Sequence, residues 1–458
     1  MNPRNVTSVE DARQIVEQRN ISHIKVGLFD IDGVMRGKYM SRDKFFSALE
    51  NGFAFCDVVL GWDSNDQLYE NVDVKFTGWH TGYPDAPVRV IPESCREIPF
   101  EPETLLFICE FEEEAAKLCP RNLLGRVLDR ASDMGFDASA AFEYEFFLFN
   151  ETPESARAKG YRKLNPITPG FFGYSMLRNS VHAELYHELL GMCETMDMPI
   201  EGLHTETGPG VLEAALTVDT AKSAADKAAL FKTFVKVWAQ RREIMATFMA
   251  KWSNDYPGQS GHIHLSLNHK DGSGSAFHDP SQEMNMSKIQ RHFLAGQQLL
   301  MPELTAMYAQ TVNAYSRMIP GYWAPTDATW GSENRTTSLR VIPGSAKSQR
   351  VEFRLGSADA NPYIALAAAL GAGLHGIENA LEPEAAIEGN AYAIKHPEHL
   401  ALPLNLNEAA TALRNSDAAR NLFGDAFIEH YSSTREWEFN EFRKHITDWE
   451  MQRYFEII

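Results

Sequence analysis

The sequence predicts an α+β protein: a small, sheet-rich N-terminal unit over residues 1–112 and a larger mixed unit over residues 113–458. Three observations predict it. The chain of 458 residues is longer than a usual single domain, which calls for two units or one large enzyme fold. Short extended segments separated by turn residues occupy the first part. After Pro120, apolar residues recur at helical spacing, interrupted by strands that carry polar residues at alternate positions.

Each element has its own signal. Ser8 with Asp11 three residues on resembles a capping box ahead of Ile15 and Val16, so a short helix starts there. Residues 24–29 read as a strand, Asp32-Gly33 as a turn, and a second strand begins near Val34. Extended segments with proline-containing turns continue through Val88-Arg89-Val90-Ile91-Pro92 to Leu105-Leu106-Phe107-Ile108, and the acidic run 110–114 reads as the hinge out of this unit. Leu123, Leu124, Val127, Leu128 and Ala131 then mark a helix. A strand over 141–149, a helix over 181–196 and a long helix over 221–252 follow. Strands at 262–267 and 351–355 and a mostly helical tail from Asn405 complete the chain. The longest apolar run, 364–374, is too short to span a bilayer and reads as a buried helix.

Composition narrows the function. Hydrophobic residues at 44% and charged residues at 23% are ordinary for a globular chain. Forty-three Lys and Arg against 62 Asp and Glu leave a formal charge of −19, which repels phosphate backbones and anionic lipid and argues against nucleic-acid and membrane partners. The five cysteines, Cys56, Cys95, Cys109, Cys119 and Cys193, form no C-x-x-C pair and suit reduced thiols. The first residues lack the apolar stretch of a signal peptide, so Asn5-Val6-Thr7 carries no weight as a glycosylation site and a cytoplasmic location is expected.

The chemistry concentrates in a few segments. In Phe142-Glu143-Tyr144-Glu145-Phe146, the two-residue period of a strand puts both glutamates on one face and the aromatics on the other. Such a pair is either an exposed sheet face or a ligand set for a hard cation, since Mg²⁺ and Mn²⁺ prefer carboxylate oxygens. The segment His204 to Glu213 adds Glu206 and Glu213 around a Gly-Pro-Gly turn, either as a solvated loop or as a fold that aims two side chains at one point. Gly261-His262-Ile263-His264-Leu265-Ser266-Leu267 places His262, His264 and Ser266 on one face, the pattern of a polar cavity wall. The rival H-x-H zinc reading lacks a cysteine or third histidine at suitable spacing. Arg350-Val351-Glu352-Phe353-Arg354 alternates in the same way, and Arg317, Arg335 and Arg340 lie nearby. Arginines gathered in an acidic protein serve either anion recognition or structural ion pairs. Together these residues suit two divalent metals and a polyphosphate, with arginines holding phosphoryl and carboxylate groups. No Walker lysine motif and no G-x-G-x-x-G run occurs, so a P-loop or Rossmann site is not supported.

In order along the chain, these segments resemble the glutamine synthetase superfamily. The others that match are Ala246-Thr247-Phe248-Met249-Ala250-Lys251, Asn313 to Arg317, Asn334-Arg335 to Arg340 and Ala360-Asn361-Pro362-Tyr363. The sequence looks most similar to the γ-glutamylamine ligases, such as γ-glutamylpolyamine and γ-glutamyl-alkylamide synthetases. The resemblance implies an N-terminal β-grasp domain, a C-terminal catalytic α/β domain and a dodecamer of two rings with active sites between subunits. It implies Mg²⁺ or Mn²⁺, two or more per site, with Glu145, Glu206 and Glu213 on one ion and Glu143, His262 and Glu352 on the other. It places His264, Ser266, Arg340 and Arg350 at ATP, Gly258, Arg317 and Arg354 at L-glutamate, and Arg335 at the transferred phosphoryl group.

Departures from the family pattern set the expected substrate. Ammonia-using members carry a glutamate in Pro-Gly-Tyr-Glu-Ala-Pro, whereas this chain has Pro320-Gly321-Tyr322-Trp323-Ala324-Pro325. An indole there removes a cation ligand, lines the pocket with apolar surface and still attracts an organic ammonium by cation–π contact, roughly 0.5–2 kcal/mol. Val211 and Pro257 stand where the family usually has glutamine and asparagine. The aspartate that reaches a neighbour's amine site has its best match in Asp63, with Asp57 second, and Tyr392 lacks the surroundings of a regulatory adenylylated tyrosine. The expectation is an ATP-dependent ligase that forms γ-glutamylamides from primary organic amines, short monoamines ahead of diamines. The alternatives are an ammonia-using glutamine synthetase and a non-catalytic relative.

Overall fold

The computed structural model describes residues 1–70 and 74–458. The first helix, α1 (Val9–Gln18), starts where expected: the Ser8 hydroxyl accepts from the Asp11 amide at 3.1 Å, while the Asp11 carboxylate accepts from the Thr7 amide at 3.1 Å. A six-stranded sheet follows, formed by β1 (His23–Phe29), β2 (Met35–Ser41), β3 (Phe53–Cys56), β4 (Asp85–Val90), β5 (Arg96–Glu97) and β6 (Leu105–Phe111). Its order is β2-β1-β6-β4-β3, with β5 on β6. β1 and β2 form an antiparallel hairpin, and β1 runs parallel to β6. Helix α2 (Arg42–Asn51) packs on this sheet through Phe45, Ala48 and Leu49, giving a grasp-like N-terminal domain.

The acidic run 110–114 begins inside β6 and divides: Glu113 and Glu114 are exposed, whereas Glu110 is not solvated. Glu110 is buried, and its carboxylate accepts from Arg121 at 2.6 Å. Arg121 lies in α3 (Pro120–Asp133) and also donates to Asp226 at 2.9 and 3.0 Å. A buried charge that lost its partner would cost several kcal/mol, so this network ties the grasp-like sheet to the catalytic part.

The catalytic part is built on a ten-stranded sheet. Its strands are β7 (Phe136–Phe149), β8 (Ile200–Thr205), β9 (Val211–Leu216), β10 (Asp219–Thr220), β11 (Met245–Thr247), β12 (Gly261–His269), β13 (Gly274–Ser275), β14 (Trp330–Ser332), β15 (Leu339–Ile342) and β16 (Arg350–Phe353). The main order is β14-β15-β16-β12-β7-β9-β8, with β10 and β11 on β7 and β13 on β12. Two short helices, α4 (Pro153–Ala158) and α5 (Met176–Val181), precede α6 (Ala183–Thr195). The expected helix over 221–252 is shorter: α7 spans Ala221–Arg241, because Glu243 takes a left-handed φ of 58° and the chain turns into β11.

Helix α8 (Lys288–Tyr308) lies against α9 (Pro362–Glu378), the helix that holds the long apolar run. Their backbones meet at Gly296 and Gly376. A Cβ on Gly296 would sit 2.1 Å from the Ala372 carbonyl oxygen, so only glycine permits this approach. The tail forms α10 (Leu406–Asn415), α11 (Asp417–Phe423), α12 (Asp425–Phe442) and α13 (Asp448–Tyr454). All five cysteines are free thiols, and no helix among the described residues is long and apolar enough to cross a membrane.

Candidate active site

Strand β7 is buried on one face by Phe142, Tyr144 and Phe146, which pack against Phe231 and Phe248. Alternation therefore turns Glu143 and Glu145 to the opposite face. Antiparallel pairing then sets the rest of the floor. Glu143 lies opposite His262, Glu145 opposite Glu213, and Glu213 opposite His204. On the other side, His264 lies opposite Glu352, and Glu352 opposite Arg340. The hairpin of β8 and β9 is what folds Glu206 and Glu213 together, so the Gly-Pro-Gly segment is a tight turn between strands and not a solvated loop.

Apart from His264, these polar residues line a cavity of about 650 Å³. On one side, His262 Nδ1 lies 3.3 Å from Glu352 and 3.7 Å from Glu143, and His264 Nε2 lies 3.1 Å from Glu143. Arg354 and Arg340 both donate to Glu352, the latter at 2.9 Å. Burial pushes Glu352 up, but Arg354, His262 and His264 together outweigh it and bring the carboxyl down to about 2. Burial and the Arg354 charge bring His262 down to about 4, so its imidazole is neutral at pH 7. On the other side, Glu145 Oε2 accepts from the Ser260 amide at 2.5 Å and the Ser260 hydroxyl at 2.6 Å. Glu213 is pushed up to about 9 by burial and by the charges of Glu145, Glu143, Glu206 and Glu352.

Divalent cations fit this donor set. Four carboxylates crowd Glu213, of which Glu143, Glu145 and Glu206 have no lysine or arginine ion pair among the described residues; His262 Nε2 is buried with no hydrogen-bond partner among them, and hard cations take such donors. Two groups bring ligand atoms within 4.8 Å of one another: Glu143, His264 and Glu352, and His204, Glu206 and Glu213. They overlap the two expected sets, with His264 where His262 was expected and His204 where Glu145 was expected.

The arginines divide by environment. Arg317 is buried and donates to the carbonyls of Leu355 at 2.9 Å and Arg354 at 3.2 Å, and burial brings it down to about 10. Gly258 packs on it: a Cβ there would come within 2.7 Å of Arg317 Cγ and 2.6 Å of the Ala250 carbonyl oxygen. Arg335 lines the cavity from the turn between β14 and β15 and makes no hydrogen bond or ion pair among the described residues. Arg350 does not line the cavity; its Nε donates to His264 Nδ1 at 3.1 Å. Trp323 stands at the mouth with its side chain 57% exposed, in a turn where it takes a φ of 60°, and Tyr322 beside it lies under the Lys251 ammonium.

Besides Arg350 and His264, which contact each other outside the cavity lining, two more expected residues are not gathered here. Ser266 lies further along β12, opposite Ser139, and outside the cavity lining. Asp63 also lies outside it, its carboxylate accepting from the amides of Asn65 and Gln67 at 2.8 Å. Conversely, the cavity is lined by Tyr174 and His204, to which sequence reading assigned no role. Tyr174 carries no signal, being an exposed ring in a loop. His204, near the end of β8, lies two residues before Glu206 and opens the segment quoted for it.

The family model for the glutamine synthetase catalytic domain matches residues 117–454. A type-1 glutamine synthetase 2 of Dictyostelium discoideum is 43% identical over 95% of this chain and 84% of its own length. A glutamate–isopropylamine ligase of a Pseudomonas species is 36% identical over the whole of both chains. A γ-glutamylethanolamide synthetase of Streptomyces coelicolor is 34% identical over 98% of this chain and 96% of its own. Among solved structures, GmaS without ligand superposes with a TM-score of 0.83 at 25% identity, over 97% of this chain and 99% of the other. The chain belongs to the glutamine synthetase family. Within it, the chain stands near proteins named as γ-glutamylamine ligases.

Proposed function

We propose that the chain is an ATP-dependent ligase that joins the γ-carboxyl of L-glutamate to a primary organic amine, alkylamine or polyamine, through γ-glutamyl phosphate. This step opens the catabolism of the amine. The observation that carries the reading is Trp323. The floor of the cavity gathers the glutamates, histidines and arginines of a glutamine synthetase, and an indole stands at its mouth where ammonia-using members have a glutamate. The names of the isopropylamine, ethanolamine and putrescine relatives support it.

Glu145, Glu206 and Glu213, with Glu143, His262 and Glu352, would hold two or more Mg²⁺ or Mn²⁺ ions, which when bound neutralise charge on the phosphates. Arg340 and Arg350, with His264 and Ser266, hold ATP. Arg317, Arg354 and the Gly258 loop hold glutamate, and Arg335, with no ion pair among the described residues, faces the phosphoryl group as it passes to the γ-carboxylate. A γ-carboxylate oxygen attacks the terminal phosphorus of ATP and ADP leaves. The amine nitrogen then attacks the γ-carbon, the C–O bond to phosphate breaks, and the ammonium proton passes to Asp63. Because Asp63 lies outside its own chain's cavity, this role belongs to a neighbouring subunit in a homo-oligomer, which we take to be a cytoplasmic dodecamer. Residues 1–112 and 113–458 are its two domains.

The test is phosphate release with glutamate, ATP and Mg²⁺ across ammonium, short monoamines, diamines, polyamines and aromatic amines. Turnover with an organic amine well above that with ammonium is expected; preference for ammonium, or no amine-dependent release, refutes the reading.

A further inference from the structure

His204 sits near the end of β8, opposite Glu213 in the ladder, with its side chain in the cavity wall. Its ring is fixed on two sides. Nδ1 lies 3.2 Å from the Thr205 carbonyl oxygen, and the ring face stacks on Tyr174 with centroids 4.4 Å apart and planes at 28°. A carbonyl oxygen can only accept, so Nδ1 carries the hydrogen and the lone pair is left on Nε2. Nε2 lies 3.8 Å from Glu213 Oε1, and the Glu206 carboxylate lies 3.8 Å from the other edge of the ring. A ring nitrogen and a carboxyl group that share a cavity wall at that distance gain nothing from each other until a cation, displacing any proton, lies between them. The separation is too long for a hydrogen bond and suits neighbouring ligands about 2.0–2.3 Å from a common ion.

We propose that His204, through Nε2, is a nitrogen ligand of the divalent ion held by Glu206 and Glu213. The proposal rests on the metal-dependent reading above and adds to it a ligand of different chemistry. With an imidazole among the carboxylates, this position favours Mn²⁺ over Mg²⁺, since Mg²⁺ binds through oxygen and keeps its waters, while Mn²⁺ stands higher in affinity for mixed nitrogen and oxygen sites. Tyr174 acts as the support that keeps the ring plane aimed at the ion, in the way an outer group orients a ligating histidine.

The test is a Mn²⁺ titration of the metal-free full-length protein, followed by electron paramagnetic resonance of free and bound ion, with nitrogen modulation of the bound-ion echo as a readout independent of activity. His204→Gln is expected to weaken one Mn²⁺ site by about tenfold or more and to remove its nitrogen modulation. The nitrogen signal of the other site is retained. Mg²⁺ competition against Mn²⁺ at the affected site becomes more effective, because the loss falls mainly on Mn²⁺. His204→Asp, which keeps a donor at the position, is expected to retain binding and still lose the nitrogen signal. Unchanged modulation and unchanged affinity in both variants overturn the proposal. Failure of the wild-type protein to bind Mn²⁺ at all overturns the metal reading itself and this proposal with it, a result separable from the first because it appears before any substitution.

Discussion

Gly258→Ala tests the glutamate-holding arrangement through one methyl group. The added Cβ would lie 2.6 Å from the Ala250 carbonyl oxygen, and ordinary contact begins at 3.4 Å. That oxygen is itself fixed, accepting from the Gln259 amide at 2.7 Å, so it yields little. The same Cβ would lie 2.7 Å from Arg317 Cγ and 2.9 Å from its Cβ. Relief therefore comes from displacing Arg317, whose guanidinium is held on the carbonyls of Leu355 and Arg354. Overpacking of this kind costs about 1–3 kcal/mol. Placed on the arginine proposed to bind glutamate, that is a rise of about 5- to 150-fold in KM for glutamate. The KM for ATP should stay within about twofold, since Arg340 and Arg350 are on other strands. Steady-state kinetics with each substrate varied in turn, alongside thermal unfolding to confirm a folded protein, measure both. The reasoning fails if KM for glutamate is unchanged, or if both constants rise together.

Trp323→Glu restores a carboxylate at the mouth of the cavity and is expected to move preference from alkylamines toward ammonium, read as the ratio of kcat/KM values; an unchanged ratio removes Trp323 from amine selection. His430 on α12 is fully buried, and burial brings its imidazole down to about 4 from an ordinary 6.5. Between those values the unfolded chain binds more protons than the folded one. The stabilising effect is therefore complete above pH 6.5 and lost as pH falls through 4, by about 3 kcal/mol. Denaturant midpoints of wild type and His430→Phe across that range should diverge, and parallel curves would count against it. Arg435, fully buried, pairs with the half-buried Asp32 at 2.7 Å and also donates to the Gln310 carbonyl. Arg435→Met leaves that charge unpaired and should cost about 3–5 kcal/mol of stability in chemical unfolding, and a loss below 1 kcal/mol would show the pair to be dispensable.

The floor of the site was legible because a strand writes its faces into the sequence. Glu143 with Glu145, His262 with His264 and Arg350 with Glu352 and Arg354 each obey a two-residue period, and strand pairing preserved it. What a period cannot convey is which strands are neighbours, so the contact of His204 with Glu213 was hidden until β8 and β9 paired. Helix ends were less legible. No glycine marks the end of α7, where a non-glycine residue, Glu243, takes the left-handed turn. Helix α8 escaped notice because its buried face includes Gln290, His292, Gln297 and Gln298, and Pro302 lies within it. The acidic run 110–114 looked like a linker because a buried Glu110 is recognisable only from Arg121 and Asp226, the latter more than a hundred residues distant.

The turn that carries Trp323 sits apart from the strands that carry the glutamates. Residues 319–323 form no strand pairing, and the turn is set by the left-handed backbones of Gly321 and Trp323. Glu143, Glu145, Glu213, His262 and Glu352, in contrast, each answer to a partner across the sheet, so a change there disturbs two strands at once. In evolutionary terms the architecture sets unequal constraints: a substitution in the paired strands must satisfy two neighbours, while one in the turn of Trp323 answers to its own backbone alone. A lineage that meets a new nitrogen source can adopt it by revising a single surface turn, with the older chemistry beneath left as it was inherited.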